Sequence, residues 1–262
     1  MALRRWDWSE TSQAALLLGR EHGLIRGLAK GAKRDRGAFS GGIEPLTRGE
    51  FGAILKASTD LATLTDWDLR EVFRGPRCSA RGFLAGCFIA DIIRSCVRDA
   101  DPHVALFDET VAALRAMDDP RGIDPALARF QWAVLRETGY APEPPRDVAP
   151  SPRSEDASVW AYDPAEGVFV AASGATRSGL WRVRDESVRA LAALASGRGG
   201  AGVGGPKTLE RVNRFLAACI ARSLQERPPT MERLFGPAPG GSDSVGIGRA
   251  SGMGEGGSGK RR

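Results

Sequence analysis

Along residues 12–70 the apolar positions fall in short runs cut by glycine, proline and charged pairs. From about residue 77 they recur every three to four residues. The first pattern predicts strands and the second predicts helices. Ser12–Gly19 is a run of small and apolar residues, Arg20-Glu21-His22-Gly23 is a turn, and Leu24–Ala29 leads into Lys30-Gly31-Ala32-Lys33. Leu16, Leu18, Leu24 and Leu28 are spaced for a hairpin with one buried face. Pro45 limits Ile43-Glu44-Pro45-Leu46 to an edge or a bulge. Phe51–Ser58 and Leu61–Leu64 are two further strands. Short strands at this spacing predict a small barrel or a sandwich.

The pattern changes at Arg74-Gly75-Pro76. Phe83, Leu84, Cys87, Phe88, Ile89, Ile92, Ile93, Cys96 and Val97 then wrap nearly all the way round, which predicts a buried central helix. Its polar strip is Asp91, Arg94 and Arg98. His103–Met117 is a second helix. Asp124-Pro125 starts a third, with Asp as N-cap and Pro at the first helical position, and Gly139 is placed to end it. Residues 141–157 hold five prolines and predict a loop. Trp160–Tyr162 and Gly167–Val170 pair as a short hairpin. Asp185–Ser196 is a short helix and residues 197–205 form a glycine loop. Pro206 then opens an amphipathic helix to about Glu226, with Leu209, Val212, Leu216, Cys219 and Ile220 on one face. From Pro237 onward the Gly/Ser-rich chain lacks core residues and is expected to be disordered.

Composition excludes several classes. A chain of 262 residues, 42 % apolar and 26 % charged, fits one or two globular domains. The 37 Lys+Arg against 32 Asp+Glu leave a formal +5, which allows a polyanion partner without demanding one. No apolar run reaches the ~18 residues of a membrane span, and the opening MALRRWDWSETS is too polar for a signal peptide. Cys78, Cys87 and Cys96 stand nine apart, so on a helix Cys87 points away from the other two and the three do not converge on a metal. With Cys219 they fit small buried residues in a reducing cytoplasm. His22 and His103 have no neighbours that suggest a triad, so histidine acid–base catalysis is not expected.

The densest charge cluster is Arg26, Lys30, Lys33, Arg34 and Arg36, which against Asp35 totals +4. On a loop of a small barrel these residues suit a phosphate backbone, read by charge and not by sequence. A solvated basic loop is the other reading. Lys207, Arg211, Arg214 and Arg222 form a second basic face on the last long helix. Trp6, Trp8 and Trp67 offer either stacking platforms for bases or, as such residues more often do, barrel core and rim. The glycine loop before Pro206-Lys207-Thr208 echoes a phosphate loop, but Pro206 breaks the Gly-Lys-Ser/Thr order and removes a donor. A helix connector is the expected reading.

Trp8-Ser9-Glu10-Thr11-Ser12, Arg20-Glu21-His22-Gly23-Leu24-Ile25-Arg26 and Leu28-Ala29-Lys30-Gly31-Ala32-Lys33-Arg34 together resemble the opening of the RecO family of bacterial recombination mediators. Ile43–Leu46, Leu127–Phe130, Gly139-Tyr140 and Leu234-Phe235 resemble later segments of that family. The resemblance implies an N-terminal OB fold, a helical middle and C-terminal domain, and a small zinc-ribbon-like insertion. It implies binding to single- and double-stranded DNA, annealing, and action with RecR to load the RecA recombinase onto DNA coated by single-stranded-DNA-binding protein (SSB). It also implies that the acidic C-terminal tail of SSB docks near Arg129, with Arg94 or Arg98 beside it.

The chain departs from the family in three places. Where many members carry two Cys pairs, Asp147, Pro150, Val170 and Ser173 stand here, so zinc is not expected and the hairpin must rest on its own packing. Ala128 precedes Arg129 where the family has a second arginine. Few residues precede the segment Ala2-Leu3-Arg4-Arg5, so the first strand is expected to be short, or the start codon was placed too late.

The expectation is therefore an α+β multidomain chain. It has an OB-fold barrel at 1–74, a helical domain at 75–236 with a degenerate, zinc-free hairpin insertion at about 141–182, and a tail at 237–262. It is expected to be a non-enzymatic, cofactor-free DNA repair mediator of the cytoplasm, associated with the nucleoid. The alternative is a helical adaptor with weak DNA contact.

Overall fold

The computed structural model describes residues 1–35, 37–39, 41–56, 59–145, 159–171, 179–197 and 204–236. β1 (Ala2–Asp7), β2 (Gln13–Gly19), β3 (Gly23–Ala29), β4 (Thr47–Lys56) and β5 (Thr59–Val72) close a barrel in the order β1-β2-β3-β5-β4. β3 and β5 run parallel, and the other neighbours are antiparallel. This is an OB-like barrel, not a sandwich. β4 and β5 are longer than their apolar runs suggest. Their register shifts at Arg48/Gly49 and Gly52/Ala53, and such bulges break the alternation from which strands are recognised.

The barrel core consists of Ala2, Ala15, Leu17, Ala29, Leu64 and Trp67, closed by Ala32, Phe39 and Ile43 from the β3–β4 connection. Ile43–Leu46 is thus not an edge strand. It plugs the barrel, and the buried Gln13 side-chain oxygen accepts the Ile43 N–H at 2.9 Å.

The helical half comprises α1 (Gly75–Cys78), α2 (Ala80–Cys96), α3 (Val104–Ala116), α4 (Ile123–Glu137), α5 (Asp185–Ala195), α6 (Pro206–Ser223) and α7 (Met231–Phe235). α2 buries Phe88, Ile89, Ile92 and Ile93, but Phe83 is 55 % exposed, so one side of this helix faces solvent. Its expected polar strip is divided. The Asp91 carboxylate accepts the Thr230 N–H and hydroxyl, while Arg98 lies beyond the helix end. Asp124 is not the N-cap of α4. That helix follows a 3-10 turn, Pro120–Gly122, capped by Asp119, and Asp124 pairs with Arg81.

Gly139 ends α4 as expected, at φ +78°. The Tyr140 N–H reaches the Leu135 carbonyl and the Gly139 N–H the Arg136 carbonyl, the two bonds of a Schellman ending. The cysteines are not uniformly buried, since Cys78 is exposed and of the four Cys219 is the buried one.

β6 (Val159–Asp163) and β7 (Val168–Ala171) form the expected hairpin. β8 (Trp181–Arg184), which the sequence pattern did not suggest, extends it to a sheet in the order β7-β6-β8. Val170 lies on β7; Asp147, Pro150 and Ser173 fall outside the described residues, as do residues 198–203 of the glycine loop and the tail 237–262. The small sheet is held by rings. Phe215 of α6 meets Tyr162 at 4.9 Å, Phe169 at 5.8 Å and Trp181 at 6.0 Å between centroids.

The two halves share one core. Leu16, Leu18 and Leu24 on the outer face of the barrel pack with the apolar residues of α2 and α3. Ion pairs Arg20–Asp108 and Arg115–Glu71 cross the seam, and Arg48 holds Glu71 from the barrel side. The two guanidiniums hold the Glu71 carboxyl down at about 2. A carboxylate depressed in the folded state stabilises fully above its unfolded value, near 4.5, and loses that contribution as pH falls toward 2. Denaturant titrations should therefore show wild type more stable than Glu71→Gln at pH 6, with the gap closing between pH 4.5 and 2. A gap independent of pH would refute the assignment.

Candidate nucleic-acid interface

In an antiparallel sheet, residues directly opposite each other point to the same face. Across β1, β2 and β3, Arg4 stands opposite Leu16 and Leu16 opposite Arg26. In the next row Trp6 stands opposite Ala14 and Ala14 opposite Leu28. Both rows lie on the outer face, because Ala15 and Leu17 of β2 fill the barrel. Helices cover this face at Leu16, Leu18 and Leu24. Beyond them it is open. Trp6 is 43 % exposed there, and Trp8, just past the strand, is 61 % exposed. Of the core-and-rim reading, Trp67, exposed by only 2 %, takes the core part, while Trp6 and Trp8 lie at the rim and are exposed.

Two of the segments that carry the family resemblance, Trp8–Ser12 and Lys30–Arg34, meet in space at this open end, while the Arg20–Gly23 turn lies at the other end of the hairpin. The Ser12 N–H donates to the Ser9 hydroxyl, the Gly31 N–H reaches the Ser12 hydroxyl, and the Lys33 N–H reaches the Thr11 carbonyl. The Lys33 ammonium bonds the Ser9 carbonyl and sits 2.8 Å from Asp7. That contact holds the Asp7 carboxyl below its ordinary value. Lys33 therefore ties the turn after β3 to the turn after β1, a role its position in a basic run does not reveal.

The other members of the cluster are freer. Arg26 is 60 % exposed with a loose 3.5 Å contact to Asp99. Lys30 and Arg34 are exposed. Arg36 lies outside the described residues. Arg4, which the charge run does not include, places its guanidinium 5.3 Å from the Trp6 ring centroid. Strand parity is the signal that finds it: Arg4 and Trp6 are two apart on β1, as Arg26 and Leu28 are on β3.

The second basic face is largely occupied. Arg211 pairs with Glu186 at 2.7 Å, Arg214 with Glu210 at 2.9 Å, and Arg222 donates to the Pro164 carbonyl; Lys207 is exposed. Arg129 is gripped by both oxygens of Glu109 on α3, at 3.0 and 3.1 Å. The Arg98 carbonyl accepts the Leu24 N–H beside the barrel. Arg94 keeps a buried Nε without a partner among the described residues. No described contact joins these three arginines. Among the described residues no group of His, Cys, Asp or Glu is placed to hold a metal ion, and no helix is long and apolar enough to cross a membrane.

Comparison with known proteins agrees with the resemblance in the sequence. A family described as recombination protein O N terminal matches residues 1–73, and one described as recombination protein O C terminal matches residues 80–232. The chain is 38 % identical over 142 residues to a DNA repair protein RecO of Rhodopirellula baltica, covering 54 % of this chain and 53 % of the relative. A protein of the same name from Laribacter hongkongensis is 34 % identical over 167 residues, 63 % of this chain and 66 % of the relative. One from Halorhodospira halophila is 29 % identical over 235 residues, 89 % and 93 % of the two chains. The first two matches thus span between half and two thirds of those relatives' length.

Proposed function

A chain matched over residues 1–73 and 80–232 by the two halves of one family belongs to that family, recombination protein O, and from this premise we propose a non-enzymatic DNA repair and recombination mediator that binds DNA through the outer face of β1–β3. The observation that carries this reading is that Arg4 and Arg26 are exposed on the outer face of β1 and β3, on either side of the covered Leu16, with Lys30 and Arg34 exposed in the turn after β3. Lysine and arginine on such a face neutralise phosphates without reading bases. Annealing requires no more from the protein than this, together with bases left free to pair. We further propose that it helps to load RecA onto SSB-coated strands with RecR, in a cytoplasmic, nucleoid-associated setting, a reading that membership of the family supports.

We propose Arg129, with Arg94 or Arg98, as the docking point of the SSB tail. Arg129 is exposed, but a carboxylate ligand must displace Glu109 from it. Replacing Arg129 by alanine should then weaken binding of an acidic peptide ending in Pro-Phe, and unchanged binding would dismiss the site.

The test of the DNA site is a salt titration of oligonucleotide binding. Each neutralised phosphate contributes about 0.7–0.9 to the slope of log affinity against log salt. Replacing Arg26, Lys30 and Arg34 together by alanine should flatten the slope by about two units, with the fold intact because these charges are exposed. Equal slopes would move the site to Lys207, Arg211, Arg214 and Arg222. Absence of wild-type binding at low salt would leave the adaptor reading.

A further inference from the structure

The open face of β1–β3 carries two large apolar rings that packing does not explain. Trp6 and Trp8 are 43 % and 61 % exposed, whereas the barrel's remaining tryptophan is buried. Both sit where the cations are. Arg4 lies over Trp6, Arg26 stands on the adjacent row, and Lys30 and Arg34 occupy the turn that bonds to the Trp8–Ser12 turn. Ala14, between Trp6 and Leu28 in the register, is itself buried.

Two of the carboxylates nearby are engaged, Asp7 with Lys33 and Asp99 with Arg26, while Glu10 and Asp35 are exposed. Trp8 is held in place by its backbone, its N–H bonding the Ser12 carbonyl at 3.0 Å. Lys33 anchors the same turn. Exposed indoles at the end of the barrel that also carries Arg4, Lys30 and Arg34 suit one kind of ligand, a flat π-face joined to a phosphate.

We propose that Trp6 and Trp8 are a base-stacking platform that makes this site prefer unpaired nucleotides, with Trp8 the principal ring. This deepens the DNA-binding reading and rests on it. In a duplex both faces of each base are already stacked, so only the cations can act on it. In a single strand the bases turn out onto the rings while the phosphates follow Arg4, Arg26, Lys30 and Arg34.

The experiment measures affinity of the full chain for a thymidine oligonucleotide and for a blunt-ended hairpin duplex, at one salt concentration and across a salt series. Trp8→Ala should weaken the oligonucleotide about ten- to a hundredfold and leave both the duplex affinity and the salt slopes unchanged. Trp8→Phe, which keeps a ring, should recover most of the loss, and Trp6→Ala should show a smaller loss of the same kind. Wild-type tryptophan fluorescence should be quenched by the oligonucleotide and much less by the duplex. Equal losses on both ligands would reduce Trp8 to a shaper of the turn and overturn the proposal, as would no loss on the oligonucleotide. Both of those results leave the DNA-binding reading standing. Wild-type binding to neither ligand removes that reading and the platform with it.

Discussion

Phe215→Ala should cost about 3–5 kcal/mol of stability and detach the β6–β8 sheet from the helices. Phe215 is buried, and its ring is the one that Tyr162, Phe169 and Trp181 all touch. Removing it opens a cavity on which three rings border, leaving the Trp160–Asp185 and Arg222–Pro164 hydrogen bonds among the sheet's ties to the helices. Burial pushes the Tyr162 hydroxyl well above its ordinary value, with the Cys219 sulfur 3.9 Å away as partner. The remaining cluster is therefore poorly suited to admitting water. Thermal or denaturant unfolding should show the loss, and protease cleavage between 159 and 184 should precede global unfolding. A loss below about 1 kcal/mol would mean that the sheet is held elsewhere.

Gly23→Ala should be nearly as damaging, at about 2–4 kcal/mol. Gly23 has φ +65°, and a Cβ there would meet the backbone of Asp101 at 2.3 Å. The left-handed backbone alone costs about 1–2 kcal/mol for alanine, and overpacking against an immovable main chain about 1–3. The strain falls on the seam, where the Ala100 N–H bonds the Leu24 carbonyl and the Leu24 N–H the Arg98 carbonyl. Hydrogen exchange in residues 98–101 should therefore accelerate along with the fall in stability. Wild-type exchange and stability would show that the segment can move aside.

The two strands of the β2–β3 hairpin, the central helices and the glycine stop at Gly139 are legible in the sequence because each rests on a local rule. The rest depended on contacts that the chain order hides. β2 shows no alternation because both its faces are buried, Ala15 and Leu17 in the barrel and Leu16 and Leu18 under the helices. β8 is four residues long and abuts α5 directly, so its pattern merges with that of the helix.

At the candidate site, sequence proximity grouped Lys33 with Lys30 and Arg34. A bond to the Ser9 carbonyl and an ion pair with Asp7 also make Lys33 a tie between turns. Strand parity brings in Arg4, some twenty residues from Arg26 along the chain. Exposure of Trp6 depends on the β1–β2 register and that of Trp8 on the turn beyond it, which no composition argument supplies.

The double burial of β2 also bears on how the molecule can be taken apart. Boundaries drawn after residue 74 suggest a portable nucleic-acid module, one to be expressed alone or fused to another protein. Severed there, the barrel would present Leu16, Leu18 and Leu24, now buried, as a contiguous apolar stripe, the kind of surface that drives association. The natural unit for dissection or grafting is the barrel together with α2 and α3, and an engineered fusion should carry the chain at least through Met117, itself buried in the shared core.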